Sequence, residues 1–126
     1  MRCVDTTQLL KGVLDAAVLA AVHDDDGYGY EVVRRLRTAG IEDVGEASVY
    51  GTLRRLYGSG ALTSYVEPSD EGPHRKYYGI TDRGRELLDR ERADWLEFSR
   101  ILTTLLGRPT PLGRPAARVR TIGEKR

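Results

Sequence analysis

Cysteine is almost absent from this chain: the single thiol, Cys3, lies near its start. A lone thiol cannot close an internal disulfide, and no Cys/His cluster has zinc spacing, so a reducing cytoplasm is the expected setting and no metal is expected. Long apolar runs are missing as well. The longest, Val13 to Val22, is interrupted by Asp15, is too short for a bilayer, and lacks the basic start and small-residue cleavage site of a secretory leader. No membrane partner is expected. Charge imbalance is also lacking, with 20 basic residues against 19 acidic ones. The last 20 residues nevertheless carry six basic groups against one acid, so positive charge collects in a tail on an acidic body. A globally basic DNA-coating protein looks different; a site-specific binder fits. Neither a nucleophile–base–orienter set nor a phosphate-cradling glycine loop is present, so neither catalysis nor a cofactor is expected.

A length of 126 residues suits a single domain with a modest core. Thr6 or Thr7 can cap a first helix running to about Val22, with Leu10, Val13, Leu14, Ala17, Val18, Ala21 and Val22 as its broad apolar face. Asp24-Asp25-Asp26 opposes the dipole at that helix's end and reads as a stop; three consecutive acids lack the alternation of a calcium loop. Gly27-Tyr28-Gly29-Tyr30 opens a second helix, expected from Tyr30 to Ala39 and stopped by Gly40. In it Val32, Val33 and Leu36 face inward, and Arg34, Arg35 and Arg37 outward.

The stretch from Glu46 to Gly58 organises the rest. Val49, Leu53 and Leu56 fall at i, i+4 and i+7 with Tyr57 beside them, one stripe for a core. The opposite face holds Ala47, Ser48, Gly51, Arg54 and Arg55, with Tyr50 at its margin. Small, hydroxyl and guanidinium groups there suit close approach to a phosphate backbone and base edges. A glycine inside a helix costs roughly 1 kcal/mol against alanine, which makes sense at Gly51 if another molecule must come near. Helix, short turn, then a helix with a polar and basic face outlines a helix-turn-helix.

After Gly60 the period changes from 3.6 to 2. Leu62, Ser64 and Val66 alternate with Thr63, Tyr65 and Glu67, turn formers fill Pro68 to Pro73, and His74 to Ile80 returns as a second strand. This hairpin is a wing. Its Ile80 side, with Tyr78, is expected on the helices, leaving Arg75 and Tyr77 outward. Thr81 caps a last helix, Asp82 to about Leu106, in which Leu88, Trp95 and Leu102 recur every seven residues, as do Glu91, Phe98 and Leu105. So long a seam needs a partner, the simplest being a second copy. The expected dimer interface is Leu88, Trp95, Phe98, Leu102 and Leu105, with Leu10 and Leu14 of the first helix. Prolines then forbid regular structure. The fold class is mostly α with a small β-hairpin wing: a winged helix-turn-helix over 1–81, a dimerisation helix over 82–106, and a disordered basic tail over 107–126.

Several motifs stand in one order: Gly29-Tyr30-Glu31, then Ser48-Val49-Tyr50-Gly51-Thr52-Leu53-Arg54-Arg55-Leu56, then Gly60-Ala61-Leu62, Gly72-Pro73-His74-Arg75-Lys76-Tyr77-Tyr78, and Ile80-Thr81-Asp82-Arg83-Gly84. From about Leu9 to Leu105 the chain resembles the PadR family of bacterial transcriptional regulators, in its short class. Many members carry proline where this chain has Gly51. The resemblance implies a winged helix-turn-helix homodimer that represses transcription from a palindromic double-stranded DNA operator. It places Ser48, Tyr50 and Gly51 on the DNA-facing start of the recognition helix, Tyr30 near the backbone, and Arg75 and Lys76 in the basic wing. Arg55, then Arg54, are the phosphate-contact candidates of the third helix, each with ion pairing as the alternative; Tyr50 reads equally as a core-edge residue. Trp95 and Phe98 are candidates to stack on a flat apolar effector at the seam, against the plainer reading that they pack the dimer. The competing function is a winged-helix protein–protein adaptor without an operator.

Overall fold

The computed structural model of the chain describes residues 9–10, 12–68 and 72–107. The Thr6/Thr7 cap, the tip of the hairpin turn and the basic tail from 108 onward lie outside the described residues. In chain order the elements are α1 (Leu14–Ala21), β1 (Gly27–Tyr28), α2 (Gly29–Thr38), α3 (Glu46–Gly58), β2 (Leu62–Glu67), β3 (Arg75–Ile80) and α4 (Asp82–Leu106).

The helix α1 is shorter than its apolar pattern suggests. Val13 takes a non-helical φ of −131° and ψ of 1° just after Gly12, so Gly12 and Val13 enter through a turn before the helix starts. A second difference concerns Gly27-Tyr28, expected to lead into the second helix. These residues form a strand that makes the wing three-stranded, in the order β1-β3-β2, all antiparallel. Gly27 pairs with Tyr78 and Tyr28 with Tyr77, while Tyr65 pairs with Tyr77 from the other side. Two residues are too few to show a period, which is why the strand is invisible to pattern reading.

The sheet has a core face and an outer face, as its alternation requires. Leu62 and Tyr78 are buried on the first, with Ile80 packed beside them. They meet Val18, Leu19 and Val22 of α1, Val32, Val33 and Leu36 of α2, and Val49, Leu53 and Leu56 of α3. Val49, Leu53 and Leu56 of the stripe read from α3 are therefore the centre of the core, whereas Tyr57, expected beside them, is 49 % exposed. Thr52, also on α3, is buried with it.

Thr81 caps α4: its hydroxyl accepts from the Gly84 N–H at 3.0 Å and donates to the Gly60 carbonyl at 2.7 Å. Gly84 lies so close to the chain before β2 that a Cβ there would stand 2.1 Å from the Ala61 carbonyl oxygen. Only glycine fits. Leu88, one turn on, is 4 % exposed and belongs to the core. Its expected place in a dimer seam is thus corrected: the protomer already covers it. Through Leu96 the chain forms one unit; the second, from Glu97, is described only as the remainder of α4 and Gly107. Along the second half of α4, Ile101, Leu102, Leu105 and Leu106 are exposed. No helix among the described residues is long and apolar enough to cross a membrane.

Candidate nucleic-acid interface

The turn between α2 and α3 is tied by Arg37, which donates from Nη2 to the Val44 carbonyl at 2.9 Å. Val44 is itself buried, so the turn is held by one apolar anchor and one charged donor. With that turn set and its apolar stripe buried, α3 presents Ala47, Ser48 and Arg54 outward, and Gly51 between them half-exposed. Among the described residues nothing requires a glycine at position 51. A Cβ there would meet only the Arg54 guanidinium, at 3.9 Å.

Arg55 goes elsewhere. Its two Nη atoms donate to the two carboxylate oxygens of Asp15, at 2.8 and 2.9 Å, in a fork-to-fork pair with α1. That pair holds the guanidinium pKa above its ordinary value, with the hydrogen bond as the main cause. Glu91 of α4 stands by the same pair. Its carboxyl pKa is raised, first by burial and then by the Asp15 charge, and its Oε1 is a buried atom without a hydrogen-bond partner. The ion-pair alternative for Arg55 is the arrangement seen.

The expectation that three arginines of α2 face outward holds only for Arg34, which is exposed. Arg35 folds back over the α1–β1 turn. It donates to the carbonyls of Ala21 (2.8 Å), Asp25 (2.7 Å) and Asp26 (2.9 Å), and it also faces the Asp25 and Glu31 carboxylates. The acidic run is thus more than a stop: its backbone, just before β1, is clamped by one guanidinium. Among the described residues no group of His, Cys, Asp or Glu side chains is placed to hold a metal.

Beside the recognition helix, pieces distant in sequence converge. The Tyr50 ring lies against Gly29, where an added Cβ would stand 2.5 Å from its Cε1. Burial, then the charges of Glu46, Tyr30 and Tyr28, raise the Tyr50 hydroxyl pKa. Tyr50 is therefore half core-edge and half surface, and Tyr30 beside it is exposed. The wing adds Arg75, whose guanidinium carbon stands 4.6 Å from the centre of the Tyr28 ring. Tyr77, expected outward with Arg75, is instead half-covered: it stacks on Tyr65 at 5.7 Å and meets the edge of Tyr28 at 5.6 Å. The Tyr65 hydroxyl donates to Asp26 at 2.6 Å, which pushes its pKa up to about 12. Lys76, on the opposite face, has its ammonium 5.7 and 5.8 Å from the Tyr57 and Tyr78 rings and is exposed.

Tyr50 therefore packs on Gly29 between Tyr28 and Tyr30, Arg75 lies over the Tyr28 ring, and Ser48, Gly51 and Arg54 line the exposed face of α3. Arg55 is set apart by its pair with Asp15. Tyr28 is the residue that sequence reasoning missed, its one signal being an aromatic in a Gly-Tyr-Gly-Tyr run. Trp95 and Phe98, the effector candidates, are 46 % and 54 % exposed on α4.

The model of the PadR-like transcriptional regulator family matches residues 18–90. A PadR-like transcriptional regulator from Bacillus cereus is similar over 82 % of this chain and 100 % of its own, at 35 % identity and a TM-score of 0.72. A PadR family transcriptional regulator from Eggerthella lenta is similar over 79 % of this chain and 86 % of its own, at 31 % identity and the same TM-score of 0.72. An uncharacterized protein of Lysinibacillus sphaericus is 30 % identical over 98 residues, 76 % of this chain and 90 % of that protein.

Proposed function

This chain belongs to the PadR-like family of transcriptional regulators, and from that premise we propose that it is a sequence-specific repressor that binds a palindromic operator as a homodimer. The observation that supports this most is the division of α3. One face fills the core, and the other presents Ser48, Gly51 and Arg54, with Tyr50 at its margin packed on Gly29. Ser48 and Gly51 face the base edges; Arg54, Tyr30, Tyr50, Arg75 and Lys76 take phosphates. Arg55 joins them only by leaving Asp15, so Arg54 stands ahead of it. The dimer reading rests on the exposed Ile101, Leu102 and Leu105 of α4, whose apolar surface a second copy of the same helix would remove from water. Two recognition helices so joined meet half-sites about 34–36 Å apart. A flat apolar effector on Trp95 and Phe98 is the matching release signal. A compound that changes neither Trp95 fluorescence nor operator affinity is not that effector.

The test is a titration of a labelled duplex from the protein's own upstream region, beside a scrambled duplex, at several salt concentrations. A preference of roughly a thousandfold with a steep salt slope is the expected result. Equal, weak binding to both duplexes would favour the adaptor reading instead. Light scattering across a concentration series reads the oligomeric state, and a monomer at all concentrations would remove the palindrome argument.

A further inference from the structure

We propose that Tyr28 is a positioning residue for DNA binding, its ring holding the Arg75 guanidinium in the place from which it meets the operator backbone. This rests on the operator reading above.

The pairing of β1 with β3 sets Tyr28 opposite Tyr77, so Tyr28 shares the outer sheet face with Arg75, two residues before Tyr77. Arg75 lies over the Tyr28 ring at 4.6 Å. The ring itself is held from behind. Tyr77 meets it edge-on at 5.6 Å and stacks on Tyr65, whose hydroxyl is bound by Asp26 at 2.6 Å. Asp26 is fixed in turn through its backbone carbonyl by Arg35. A chain of directional contacts thus runs from α2 through the acidic turn and the tyrosine row to an exposed cation at the end of the wing.

An arginine free in solvent loses much rotamer freedom when it grips a phosphate, and binding is weakened by that loss. A guanidinium lying on an aromatic face has lost part of that freedom beforehand. Contact through its face also leaves the N–H donors of its edge available to an oxyanion. The location of the ring suits this role, because Tyr28 directly precedes Gly29 and Tyr30, and Tyr50 packs on Gly29. The ring that carries the wing cation thus belongs to the residue before the glycine on which Tyr50 of α3 packs.

The experiment is the duplex titration described above, repeated with Tyr28→Leu, Tyr28→Phe, Arg75→Ala and the double change Tyr28→Leu/Arg75→Ala. Tyr28→Leu is expected to weaken binding by about two- to tenfold, from the ordering of one arginine. Tyr28→Phe should restore most of that loss, and Tyr28→Leu should cost nothing further once Arg75 is alanine. A purely structural role is separated by placing phenylalanine with one, two or three ring fluorines at position 28. Fluorination weakens the ring quadrupole with little change of shape, so affinity should fall stepwise while the thermal midpoint stays constant. This arm decides the matter even if Tyr28→Leu fails to fold. Affinity unmoved by fluorination, or an equal Tyr28→Leu loss with and without Arg75, would overturn the proposal. A wild-type protein that shows no preference for its own duplex would overturn the operator reading, and this inference with it.

Discussion

Replacing Gly51 by alanine should move stability and DNA affinity in opposite directions. A Cβ at this position meets nothing closer than the Arg54 guanidinium at 3.9 Å, the far end of a flexible side chain. The residue is not among the glycines with positive φ, so alanine enters without backbone strain. The full propensity gain of about 1 kcal/mol should appear, equivalent to a thermal midpoint about 4–8 °C higher for a domain of this size. Nothing among the described residues therefore explains the glycine. Ser48 and Arg54 flank it on the same face, and an added methyl group there must be accommodated in a packed interface at about 1–3 kcal/mol. Operator affinity should fall by roughly ten- to a hundredfold, measured by titration of the labelled duplex at fixed salt. A variant that is more stable and binds as tightly as wild type would refute the close-approach argument. One that is no more stable would refute the structural half, because some neighbour would then be using the space.

Arg35→Ala removes the donor to three carbonyls, of which the Ala21 contact is partly buried and the others exposed. Water can replace the exposed bonds, so the expected loss in urea unfolding is about 2–4 kcal/mol; Arg35→Lys should recover less than half, and full recovery would show that the fork geometry is irrelevant. The Asp15–Arg55 pair is partly exposed, with the arginine side chain 60 % accessible. A double-mutant cycle should return only about 0.5–1 kcal/mol, and Arg55→Ala should leave the salt slope of DNA binding nearly unchanged while Arg54→Ala reduces it by about 0.9. The reverse pattern would mean that Arg55 leaves Asp15 on DNA. Glu91 binds its proton more tightly in the folded state than in the unfolded chain. Its ionisation therefore opposes folding above the folded pKa, and that penalty is relieved as pH falls toward the unfolded value. Glu91→Gln should remove this gain, so the thermal midpoint of the variant relative to wild type should fall as pH is lowered from neutrality toward the ordinary glutamate value of 4.5; a difference independent of pH would contradict the assignment.

Much of the architecture was legible in local pattern. The bounds of α3 and α4 follow from an uninterrupted apolar period with Thr81 and Gly45 or Glu46 at the starts, and the hairpin follows from a change of period around dense turn formers. Where pattern reading fell short, one cause was local and one long-range. α1 starts late because Val13 leaves helical geometry after Gly12. β1 exists through its pairing with a strand some fifty residues further along, Gly27 with Tyr78.

The sequence by itself determined the order of the helices and the hairpin, which face of α3 is apolar, that α4 outruns its own core, and the family to which these motifs belong. All of these rest on periodicity and on residue order, which a chain carries locally. Only the tertiary structure decided what each charged or aromatic side chain touches. Arg34, Arg35 and Arg37 are alike in composition and propensity, yet one is exposed and two hold turns. Arg54 and Arg55 are neighbours, and a carboxylate 40 positions away claims one of them. A guanidinium has the same helix propensity in water or in an ion pair, so the choice leaves no mark on the local sequence and is made only when distant elements are brought together.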